Sequence, residues 1–243
     1  RTADTEYHPS SGGSVQVENK NNLPLSDAQK AAVDVANAVA GATGVNVVLR
    51  ESEAYSGGFY DAESNTVHVY LNNEGNLLNK AATSEFVNHI MEKSPEHYEH
   101  LKQFVSEYIK SSGESTFENL TAAKIKDSQI RAKEKAYGIT ALTQEQAEQS
   151  VIADTTALML KNKSLAESYY AGNPVFANAV KKFFNTYAAA IKRSYRNVAL
   201  PAETEAAVNR AYKPFNKIVQ QFSKNLLNAS EGGPDIAAAA TNG

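Results

Sequence analysis

The sequence predicts an α+β fold, with a small sheet in its first third and helices beyond it. Three observations carry this. The β-branched and alternating apolar runs lie between residues 45 and 71. From residue 76 onward apolar residues recur at helical spacing. Serine or threonine followed three residues later by glutamate or glutamine marks repeated helix starts.

Taken in order, residues 1–24 are polar, rich in Ser, Gly and Asn, and read as a flexible arm. Ser26 with Gln29 forms a capping box, and Ala32, Val35, Ala36 and Val39 supply one apolar face of a first helix. Gly41 and Gly44 end it. Val45–Leu49 is a strand. Gly57–Tyr60 and Thr66–Leu71 flank a turn at Asp61–Asn65 and predict a hairpin. A helix over 76–93 stops at Ser94-Pro95, where serine as N-cap and proline as first helical residue restart the chain.

Tyr98, Leu101, Phe104, Val105 and Tyr108 stripe the next helix, and Ser115/Glu118 and Thr143/Gln146 are two further capping boxes. Asn173-Pro174 opens an aromatic-rich helix, and another follows Pro201, with a kink expected at Pro214. The expected organisation is an arm (1–24), an α+β domain (25–165), a helical extension packed on it (166–229) and a flexible tail (230–243). Because the chain starts at Arg1, it reads as a piece of a longer polypeptide or a processed product.

A net charge of −3 argues against a nucleic-acid-binding surface, since there is no basic excess to displace counterions. No apolar run approaches the ~18 residues that a membrane span needs. With no cysteine, disulfides, thiol nucleophiles and thiolate metal sites are excluded. The sequence also holds no phosphate loop, dinucleotide fingerprint or Gly-x-Ser-x-Gly.

Two segments carry chemistry by position. They are Lys80–Glu92, which includes Thr83-Ser84-Glu85-Phe86-Val87-Asn88-His89, and Glu148–Asp154. With the hairpin upstream and the break at Ser94-Pro95-Glu96, they resemble the two metal-binding helices of zincin-type (His-Glu-x-x-His) metallopeptidase domains of bacterial mobile-element and phage proteins. The resemblance spans residues 24–165. It implies a zincin-like domain with a small antiparallel or mixed sheet and a cytoplasmic location.

Laid on that pattern, Ser84 and Asn88 fall on the two histidine ligands, Ser150 on the third ligand, Glu85 on the general base and Asp154 on the second-shell carboxylate. Two histidines at i and i+4 share one helix face and so grip one zinc ion. Hydroxyls and an amide are poor partners for an ion that prefers imidazole, thiolate or carboxylate. The expected cofactor is therefore none, and Glu85 is a relic general base. This favours a catalytically inactive metallopeptidase-like module, a pseudopeptidase, binding an extended peptide by strand addition along 66–71.

Two alternatives stand beside it. One is an active zinc peptidase with displaced ligands (Glu85, His89, Glu92, with His97 or Asp154). The other is a designed or generated scaffold without activity. His89 is expected about 100° around the helix from Asn88, off the site face. His97 and His100 are expected on the surface, His68 on the outward face of its strand and His8 in the arm. The aromatics of 174–228 either pack internally or offer a surface for self-association.

Overall fold

The computed structural model describes residues 6–19, 22–51, 59–71, 74–133 and 141–231. The part of the tail beyond 231 and the residues Gly57-Gly58 of the expected hairpin lie outside them. The first helix, α1 (Asp27–Thr43), starts at the predicted box: Ser26 Oγ accepts from Gln29 N–H, and Gln29 returns a bond to the Ser26 backbone. It ends on Gly44 at φ 73°, a left-handed conformation that glycine adopts without a Cβ clash.

The sheet has four strands in the order β1-β2-β4-β3: β1 (Val15–Val17), β2 (Asn46–Arg50), β3 (Phe59–Asp61) and β4 (Thr66–Tyr70). β1, β2 and β4 are parallel, and β3 returns antiparallel to β4 through the predicted hairpin. Val47, Leu49, Val67 and Val69 alternate into the core, with Val47 beside Val67 and Leu49 beside Val69. On the opposite face His68 takes the outward position that alternation predicts. It bonds the Arg50 guanidinium at 3.0 Å and stacks on Phe59.

Two expectations are corrected here. Residues 6–19 are built into the fold, because β1 adds to the free edge of β2 and Gly13 N–H bonds the Ala40 carbonyl. The composition of this segment is that of a linker, but backbone pairing does not depend on polarity. The strand expected to receive a peptide, Thr66–Leu71, is not an edge: β4 is paired to β2 on one side and β3 on the other. The edges among the described strands are β1 and β3.

Among the described residues seven helices follow: α2 (Glu74–Lys93), α3 (Pro95–Ser112), α4 (Phe117–Lys133), α5 (Gln144–Lys161), α6 (Lys163–Gly172), α7 (Pro174–Arg196) and α8 (Ala202–Glu231). Helices α1 and α2 pack on the sheet, and α5, α7 and α8 pack on those helices. The Thr143/Gln146 box holds. The α4 cap is Thr116 rather than Ser115, since Thr116 Oγ1 accepts from Asn119 N–H. α8 continues through Pro214.

One hydrophobic core runs from Val35 and Val39 of α1 to Phe222 and Leu226 of α8, so residues 166–229 share a core with 25–165. Phe183, Phe184, Tyr187, Tyr195, Tyr212, Phe215 and Phe222 are all buried. These rings therefore fill the interior that α7 and α8 enclose against α1 and α2, whereas Phe176 is only partly buried.

Candidate functional site

Successive turns of α2 carry Glu85, Asn88, His89 and Glu92 to one side of a polar cleft of about 280 Å³. Its other walls are Tyr7, His8 and Ser10 from the N-terminal segment, Thr43 at the end of α1, and Tyr60, Ala62 and Asn65 of the hairpin. Local chemistry fixes each wall. Asn65 sits at φ 48°, where a short amide side chain is tolerated, and closes the β3–β4 turn. Its Oδ1 accepts from the Tyr60 hydroxyl at 2.6 Å, which sets that ring over the cleft. Ser10 Oγ donates to the Thr43 carbonyl, and Tyr7 then lies edge-on to His89 and against Phe183 and Tyr187.

Glu85 is buried at the floor. Tyr187 of α7 donates its hydroxyl to Glu85 Oε2 at 2.6 Å, and Thr43 is a second side-chain partner. Burial pushes the carboxyl up to about 8, and the two hydrogen bonds only partly oppose that shift. Burial thus favours the neutral acid at Glu85, which the Tyr187 hydroxyl holds. Burial, with Glu85 nearby, also raises Tyr7, Tyr60 and Tyr187. The sequence reading missed Tyr187 as the partner of Glu85 because the two are 102 residues apart and Tyr187 stands in a regular apolar stripe.

The three ligand-position residues do not act as a set. Asn88 lines the cleft with Glu85, whereas Ser84 and Ser150, both buried, are not among its walls. Asn88 Oδ1 is buried without a hydrogen-bond partner. An unpaired amide oxygen and two hydroxyls are not a donor set for zinc, which takes imidazole, thiolate or carboxylate. These residues do not fit the ion that the resemblance implies. Among the described residues no group of three or more His, Cys, Asp or Glu side chains is placed to hold a metal.

Of the displaced-ligand set, Glu85, His89 and Glu92 meet in the cleft, whereas Asp154 and His97 are not among its walls. Asp154 is engaged by Lys80 of α2 and, at 2.8 Å, by Lys124 of α4, so it ties three helices together. His97, expected on the surface, is fully buried. It pairs through Nε2 with the Tyr169 hydroxyl at 2.8 Å and stacks on Phe176 at 4.4 Å. Burial, with His100 and His89 nearby, lowers it to about 3. The i, i+3 spacing of His97 and His100 was a surface signal only if α6 and α7 lay elsewhere; instead they cover His97. His89 is corrected too. The 100° step from Asn88 brings it into the cleft, because Tyr7 and the hairpin widen the site face.

No helix of the described residues is long and apolar enough to cross a membrane. No protein-family model, curated protein or solved structure matches the chain.

Proposed function

We propose that this chain is a catalytically inactive, metallopeptidase-like module that binds a peptide or protein segment in the cleft between α2 and the β3–β4 hairpin. The observation that carries the proposal is the state of Glu85. The carboxyl at the general-base position is buried and accepts the Tyr187 hydroxyl at 2.6 Å, and the ligand positions around it hold Ser84, Asn88 and Ser150, which do not suit zinc, so it has no metal-bound water to activate. Three features support the scaffold side of the proposal: a hairpin directly before α2, the break at Ser94-Pro95, and α5 packed along α2. Since β4 is enclosed, an extended segment would add along β3, the edge strand beside the cleft.

The test is to incubate the chain with a mixed peptide library, with and without zinc, and to follow both peptide masses and backbone amide shifts. The expected result is intact peptides, with shifts at Tyr60, Glu85, Asn88 and His89. Zinc-dependent cleavage that disappears in Glu85→Gln would restore the peptidase alternative. No shift with any peptide would remove the binding function.

A further inference from the structure

The cleft contains two orphaned polar atoms. Tyr7 Oη and Asn88 Oδ1 are both buried and neither has a hydrogen-bond partner. Asn88 is only 7% exposed, so water does not freely satisfy it. A buried polar atom left unpaired costs ~1–3 kcal/mol; Asn88 Oδ1 can only accept and Tyr7 Oη accepts as well as donates, so a ligand with hydrogen-bond donors would satisfy both.

Charge narrows the class. The walls hold two carboxyl groups, Glu85 inside and Glu92 at the mouth, two imidazoles, His8 and His89, and no lysine or arginine. Glu92 is exposed and has no salt bridge among the described residues. A primary ammonium brings three donors and one positive charge. The cleft is small, below the ~300–1,000 Å³ of sites for drug-sized ligands, and suits a single side chain or chain end.

We infer that the cleft lined by Tyr7, Tyr60, Asn88 and Glu92 binds a primary ammonium group, with Asn88 Oδ1, Tyr7 Oη and the Glu92 carboxylate accepting its three hydrogens. The ammonium is either a lysine side chain or a peptide N-terminus. The peptide source rests on the proposed function, but the ammonium chemistry does not.

The test titrates the folded chain with n-butylamine, with n-butanol as uncharged counterpart, and follows the Asn88 side-chain amide and the Glu92 backbone amide by NMR. Two peptide arms follow: an N-acetylated peptide containing one lysine, and a lysine-free peptide with a free N-terminus. Butylamine is expected to saturate both signals at concentrations where butanol has no effect. Glu92→Gln, an exposed change compatible with folding, weakens the amine about tenfold. The peptide arm that competes with butylamine identifies the source. Equal effects of amine and alcohol, or full amine affinity in Glu92→Gln, would overturn the assignment. If an acetylated, lysine-free peptide binds while butylamine does not, the ammonium site falls and peptide binding stands. If butylamine binds and neither peptide does, the ammonium site stands and peptide binding falls.

Discussion

Tyr187 Oη donates to Glu85 Oε2 at 2.6 Å, joining α7 to the helix that carries the cleft. The bond sets the buried Glu85 carboxyl against an aromatic cluster at the floor of the cleft. Because Tyr187 is itself fully buried, the pair cannot separate without opening the core.

This relationship fixes a pH dependence. Glu85 has a folded value of about 8 against an ordinary 4.5. Its contribution to stability is fully present below about 4.5 and is lost as pH rises to about 8, because folding must then take up a proton. Glu85→Gln removes that slope and is expected to stabilise the fold at neutral pH by about 2–3 kcal/mol. Urea denaturation from acid to mildly alkaline pH reads it; parallel profiles for the two proteins would contradict a neutral Glu85.

His97 has the opposite sign. Its folded value of about 3 lies below the ordinary 6.5, so its contribution is present above 6.5 and lost as pH falls toward 3. His97→Phe keeps the stack on Phe176 but leaves the Tyr169 hydroxyl unpaired, costing ~1–3 kcal/mol at neutral pH. It also moves acid unfolding to lower pH. Adding Tyr169→Phe is expected to recover part of the neutral-pH loss, measured as the coupling in a double-mutant cycle.

Asp154 is a fastener, and its removal is a test of that role. Asp154→Asn leaves Lys80 and Lys124 facing one another without their shared carboxylate. With Asp154 38% exposed, solvent screening keeps the loss to about 1 kcal/mol at low salt. Molar salt should shrink the difference from the parent chain.

Gly13 tests whether the N-terminal segment belongs to the fold. A Cβ there would lie 2.0 Å from the Val45 carbonyl oxygen and 2.9 Å from that of Ala40. Gly13→Ala must therefore displace the backbone leading into β1. The expected outcome is ~1–3 kcal/mol of destabilisation, with faster amide exchange confined at first to β1 and β2. Unchanged exchange would mean that the segment is not seated as described.

The local signals read well and the long-range ones did not. Ser26/Gln29 and Thr143/Gln146 announced their helices because a capping box is written within four residues. The alternation around His68 gave its face for the same reason. What failed depended on tertiary placement. β1 is three residues of ordinary polarity, visible only once β2 offers an edge. His97 looks like a surface histidine until α6 and α7 cover it. In the cleft, Glu85 and Asn88 were legible from their positions on one helix. Tyr7, Thr43, Tyr60 and Tyr187 come from four other elements, and no spacing rule links them.

The most direct test is the zinc content of the purified chain after zinc loading and exhaustive dialysis, by elemental analysis. An inactive module with Ser84, Asn88 and Ser150 at the ligand positions is expected to retain less than about a tenth of an equivalent. Close to one equivalent, lost on substitution of Glu85 or His89, would contradict it and put an active metallopeptidase in its place.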